Sequence, residues 1–142
     1  MVNRAFRVDE RMKYEDLVGV PFVDGGRTMN GLDCWGLAMV LLRRQGYDVP
    51  DYPIKATAID EIAAALKDGR DSGGYERLDE PQMGCIVLLR LSMDAWANHV
   101  GIYVGHGEFI HAYSKTAVCI DRLRKWQSRI VGYYRPRKRR EP

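Results

Sequence analysis

The apolar positions of the chain follow two different periods, helical in the first half and alternating in the second. Cys34, Leu37, Ala38, Leu41 and Leu42 recur at three- and four-residue steps, the repeat that gathers side chains on one face of an α-helix. Asp33 is a good N-cap, and Gly46, just past Arg43, Arg44 and Gln45, is a helix stop. The pattern therefore predicts a buried helix with Cys34 on its first turn. The segment before it, Val20 to Gly31, has too many turn residues for regular structure. A short helix is expected over residues 10–18. A second amphipathic helix is expected after Thr57, with Ile59, Ile62, Ala63 and Leu66 inward and Gly69 beyond its end. Past Gly73 and Gly74 the pattern becomes that of strands, at residues 86–91, 99–104, 108–113, 117–121 and 130–134, with a short helix capped by Asp121 over 122–127. Helices followed by a meander of strands predict an α+β domain, with the cysteine helix packed on an antiparallel sheet of about five strands.

Length and charge narrow this further. A chain of 142 residues is the size of one domain with a single core, here residues 1–134. The formal charge of +3 is uneven: residues 135–142 hold net +4, which leaves the body at −1. That basic tail is the only hint of nucleic acid, and a solvated terminus is the expected reading. No stretch reaches membrane-spanning length and the charged N-terminus is not that of a signal peptide, so neither membrane insertion nor secretion by such a signal is expected. Cys34, Cys85 and Cys119 are an odd set without metal-ligand spacing, which argues against a disulfide framework and a zinc site. No metal or cofactor is expected, and Cys85 and Cys119 read as small core residues.

Cys34 differs by its context. At a helix start the unpaired N–H groups and the positive end of the dipole favour a thiolate, the nucleophilic form of cysteine. Such a group needs a base, and the histidines are His99, His106 and His111. His106, between Gly105 and Gly107, reads as an exposed turn residue. His99 and His111 lie in adjacent apolar strands, where an imidazole must have a partner. Strand parity turns this into a geometric expectation. A two-residue His106-Gly107 loop would put the histidines on opposite sheet faces, whereas a three-residue loop pairing Val104 with Glu108 sets His111 opposite Gly101 and both histidines on one face. The small Gly101 would leave room there for the helix start. In this arrangement Cys34 attacks a carbonyl, His99 takes its proton, His111 orients His99, and the Cys34 N–H is the oxyanion donor. Asp33 is assigned to capping and bracing the loop.

These residues resemble the NlpC-type cell-wall peptidases, small papain-like cysteine peptidases. The matching pieces are Gly19-Val20-Pro21-Phe22 with Gly25-Gly26, Asp33-Cys34-Trp35-Gly36-Leu37, Pro81 to Val87, His99 to Gly105, and Phe109-Ile110-His111-Ala112. The resemblance implies a papain-like fold and a catalytic triad of Cys34, His99 and His111. It implies cleavage between D-glutamate and a diamino acid in peptidoglycan stem peptides, with Phe22, Trp35, Gly36 and Gly101 against substrate. Trp35 stands where the family usually has a small serine, Phe22 where a tyrosine is common, and Cys85 where an acid is usual. An aromatic residue after the cysteine, with no signal peptide and no wall-binding domain, is similar to forms in bacteriophage tails. It implies tail-tip protein partners and a place in the virion tail, with synthesis in the host cytoplasm. Two alternatives stay open: an inactive or slow assembly subunit of the same fold, and an amidase or acyltransferase acting on another substrate.

Overall fold

The computed structural model describes residues 12–51, 74–91, 99–113 and 117–137. The helix expected after Thr57 lies outside these residues. Among the described residues of the helix expected over 10–18, the helical pattern is realised as a 3-10 turn, Glu15–Leu17. Two short paired strands, β1 (Arg27–Thr28) and β2 (Gly31–Leu32), lead into α1 (Cys34–Arg44). The remaining strands are β3 (Tyr75–Leu78), β4 (Ile86–Leu89), β5 (His99–Gly105), β6 (Glu108–Ala112), β7 (Val118–Arg122) and β8 (Ile130–Pro136). They form one antiparallel sheet in the order β3-β8-β4-β5-β6-β7. The architecture is α+β and papain-like. Among the described residues no helix is long and apolar enough to cross a membrane.

The helix ends where its sequence says it should. Asp33 is the N-cap, its carboxylate accepting the Gly36 N–H at 2.7 Å. At the other end Gly46, with φ of 92°, lets its own N–H reach the Arg43 carbonyl and the Tyr47 N–H reach the Leu42 carbonyl, which closes the last turn and satisfies two orphan acceptors. Leu37, Leu41 and Leu42 are fully buried, and each such side chain contributes about 1.5–3 kcal/mol by leaving water. They pack with Ile86, Leu88, Val100, Ile102 and Ile110 on one face of the sheet. The alternate residues Val87, Leu89 and Phe109 lie in a second cluster with Leu123, as the two-residue period of a strand requires.

Three details differ from expectation. β3 is an additional edge strand, too short and too charged to stand out as a pattern. β8 runs on through Arg135 and Pro136, which pair with Glu76 and Tyr75, so the folded sheet reaches two residues into the segment read as a basic tail. The segment after β7 is a 3-10 helix, Leu123–Arg129, whose N-cap position is Arg122 and not Asp121, and it has no side-chain cap.

Helix and loop meet most closely at Gly36. A Cβ built there would lie 2.3 Å from the Gly26 carbonyl oxygen, and backbone cannot move aside as a flexible side chain can. Alanine would gain up to about 1 kcal/mol of helix propensity, while overpacking of this kind costs about 1–3 kcal/mol. The contact with rigid backbone puts Gly36→Ala at the upper end of that range, so the variant should be about 1–2 kcal/mol less stable in urea denaturation.

Candidate active site

Asp33 organises the loop that presents Cys34. One carboxylate oxygen accepts from the Gly36 N–H and from Arg27 Nη1, each at 2.7 Å, and the other accepts from the Gly25 N–H at 3.0 Å. Arg27 also holds Asp51 at 2.8 Å. Asp33 is thus buried with its charge paired, and every listener to that carboxylate is a structural group. Cys34 follows as the first helical residue, 8% exposed. The backbone N–H groups of Val100 and Trp35 favour its thiolate, but burial, helped by the Asp33 charge, outweighs them and pushes the thiol up to about 12. The expectation of a thiolate in the free protein is therefore corrected: removal from water dominates the helix terminus, and the resting group is a neutral thiol. Its contact with the Val100 N–H sets it beside the residue that follows His99.

The histidines come together by a compromise in the hairpin. Ile102 pairs with Ile110 and Tyr103 with Phe109, but the register then shifts and Gly105 pairs with Glu108. The turn is the two-residue His106-Gly107, both with positive φ, and a bulge before Gly105 restores the parity that such a turn would otherwise reverse. His99 and His111 share a face, with His99 Nε2 and His111 Nδ1 at 2.8 Å. Behind them His111 Nε2 meets Asp121 Oδ2 at 2.9 Å. Trp126 Nε1 donates to the same oxygen at 3.3 Å, and Lys125 lies 3.6 Å from the other.

This row has a direction. An ionised carboxylate can only accept, so His111 carries its proton on Nε2 and its Nδ1 is an acceptor. That acceptor requires His99 to donate from Nε2, which leaves the lone pair of a neutral His99 on Nδ1. Partial burial raises the Asp121 carboxyl, but its bond with His111, Lys125 and Trp126 hold it below the usual carboxylate range. Burial, reinforced by His111, pushes His99 down to about 3. His111 is also lowered by burial, against the opposing pull of Asp121. The resting site is a neutral thiol and two neutral imidazoles backed by one carboxylate. The aromatic rings of Phe109, Tyr113 and Trp126 surround His111 at centroid separations of 4.5, 6.1 and 5.2 Å.

The other positions expected against substrate fall differently. Trp35 is 1% exposed and donates from Nε1 to the Pro50 carbonyl at 3.0 Å; it is a core residue that cannot meet substrate. Gly36 is buried beneath the Gly26 carbonyl, so its size serves the loop. Gly101 makes room for the Phe109 ring and His111 Cβ, which a Cβ there would meet at 2.7 and 3.1 Å, and not for the helix start. Phe22 is half-buried against the main core. Asp121 was missed as a site residue because its sequence context is that of a helix cap. Pairing of Phe109 with Asp121 and of His111 with Cys119 would have put it on the histidine face, but that register depends on the connection between β6 and β7.

The NlpC/P60 family model matches residues 19–135, from the loop before Cys34 to the end of the sheet. The chain is 28% identical over 120 residues to the Escherichia coli (strain K12) protein "Murein DD-endopeptidase MepS/Murein LD-carboxypeptidase", covering 82% of this chain and 56% of that one. It is 30% identical over 132 residues to the Bacillus subtilis (strain 168) "Gamma-DL-glutamyl hydrolase", covering 90% and 28%. The chain thus spans about half or less of the length of these relatives. The structure of NlpC2 from Trichomonas vaginalis superposes with a TM-score of 0.68 at 19% identity, over 97% of this chain and 49% of that one. With the family match covering residues 19–135, the chain belongs to the NlpC/P60 family.

Proposed function

We propose that this domain is a cysteine peptidase that hydrolyses the amide bond between D-glutamate and a diamino acid in peptidoglycan stem peptides. The observation that carries the reading is the directed row His99–His111–Asp121 beside a helix-start cysteine. The activities named for the bacterial relatives support the same substrate class. Cys34 Sγ attacks the scissile carbonyl as its proton passes to His99 Nδ1, so no free thiolate has to exist beforehand. The oxyanion is held by the Cys34 N–H, which the helix leaves unpaired. The new imidazolium donates to His111, and His111 donates to Asp121, without any change of tautomer. The leaving amine takes the proton from His99 and departs, and water releases the product from the thioester by the same route in reverse. We place this activity in a bacteriophage tail, on the resemblance of the sequence to tail-associated forms.

The buried, neutral thiol favours a second reading, an assembly subunit that turns over slowly or not at all. Muropeptide analysis separates the two. Incubation of peptidoglycan with the wild type should yield peptides newly ended at D-glutamate, and Cys34→Ala should yield none. Identical product patterns from the two proteins would leave the assembly reading standing.

Asp121 acts as a positioning residue. An amide in its place can donate as well as accept, so the tautomer of His111 is no longer imposed. Asp121→Asn is expected to lower kcat by about 10–100-fold, the range for loss of a group that orients another, with little change in KM and with Asp121→Glu recovering part of the rate.

A thiol raised to about 12 also has a signature in the free protein. Alkylation follows the thiolate fraction, so the rate of Cys34 with iodoacetamide should keep climbing about tenfold per pH unit through pH ~10, with no plateau near the free-cysteine value of about 8.5. A plateau at or below that value would show that the helix terminus outweighs burial after all.

A further inference from the structure

Cys119 lies on the same sheet face as His111 and Asp121, and the mechanism makes no use of it. It pairs directly across from His111, with Asp121 two residues further along β7. One ligand atom from each of the three residues lies within 4.8 Å of the others. A tetrahedral ion with bonds of about 2.0–2.3 Å sets its ligand atoms about 3.5 Å apart, so movements of about 1 Å suffice to close the site. Thiolate, imidazole and carboxylate together suit a borderline-soft divalent ion. Cys119 and Asp121 are partly exposed while His111 is fully buried, so an ion can enter from solvent and meet the histidine from its Asp121 side. Lys125, 3.6 Å from Asp121 and 69% exposed, is free to swing out.

We propose that His111, Cys119 and Asp121 form an inhibitory site for a thiophilic divalent cation such as Zn2+, which turns off the proposed base by reversing the tautomers of both histidines. The inhibitory part rests on the peptidase reading; the binding part does not. An ion takes the lone pair of His111 Nε2, the atom that carries the proton when Asp121 alone is its partner. A neutral His111 must then hold its proton on Nδ1 and donate it across the 2.8 Å contact to His99 Nε2. A neutral His99 that accepts at Nε2 carries its proton on Nδ1, and the thiol faces a donor where it needs an acceptor. The His111 Nε2 proton leaves, the shared proton moves from His99 to His111, and His99 regains one from water. The net loss is the single proton of Cys119, which binds as thiolate. The linear spacing of the ligands is not that of a zinc motif, because the site is assembled across a strand pair.

Anaerobic titration of the Cys34→Ala protein with Co2+ tests binding without any need for activity. One equivalent should bring up the near-ultraviolet thiolate-to-cobalt band, and Cys119→Ser in the same background should abolish it with the melting temperature essentially unchanged. No band, or a band that survives Cys119→Ser, would overturn the site. In the active protein, Zn2+ should suppress muropeptide release, and Cys119→Ser, with basal release intact, should need at least about tenfold more Zn2+, the lower end of the effect of losing one such partner. Equal sensitivity of the two proteins would overturn the inhibitory role. A chain that binds Co2+ as described but releases no muropeptides would refute the peptidase reading and leave the metal site in place.

Discussion

The site depends on the fact that a carboxylate accepts hydrogen bonds and cannot donate them. Asp121 lies two rings away from His99 Nδ1, yet it fixes the proton position on each ring between. A row of two imidazoles alone is degenerate, since either may donate to the other. With a charged acceptor at one end the degeneracy is lost, and the open lone pair appears at the other end. In the proposed reaction the same charge stabilises the His99 imidazolium, a role a neutral third residue could not fill. The sheet supplies the geometry: β5, β6 and β7 must hold one register for three side chains on three strands to line up on one face, and the bulge in the β5–β6 hairpin is part of that register.

A second competition sets the resting state of the nucleophile. A helix terminus offers a negative group about 0.3–2 kcal/mol. Raising a thiol from 9.0 to about 12 corresponds to about 4 kcal/mol against ionisation. Burial therefore wins in the free protein, and in the proposed reaction the helix start matters later, when charge moves from sulfur to the substrate oxygen and the Cys34 N–H receives it. Under the proposed mechanism the site is suited to charge that develops during reaction and not to charge held at rest.

How much of this the sequence discloses depends on the range of the interaction. The helix from Cys34, its Asp33 cap and its Gly46 stop are local, set by residues within one or two turns, and they were legible. So were the five longer strands, four from alternation and Ile86–Leu89 as a continuous apolar run. The relation of His99 to His111 was legible as parity, although the expected three-residue loop is a two-residue turn with a bulge, which gives the same face by another path. Asp121 was not legible, because its partner lies ten residues away across a strand pair whose register no short motif encodes. Its local context, just before a 3-10 helix, pointed to a cap that the folded chain does not make. Gly101 failed for a related reason: alternation assigns it a face, but not which neighbour fills the space it leaves.

Trp35 shows how a position beside a nucleophile can mislead. Successive residues on an α-helix are turned by about 100°, so the side chain after Cys34 does not share its outlook. Cys34 faces Val100 at the start of β5, while Trp35 turns into the core and spends its one polar group on the Pro50 carbonyl. A large residue there fills volume between the helix and the segment that follows it, and a small one would leave that volume to be filled from elsewhere. Its identity is thus a packing decision linked to Pro50.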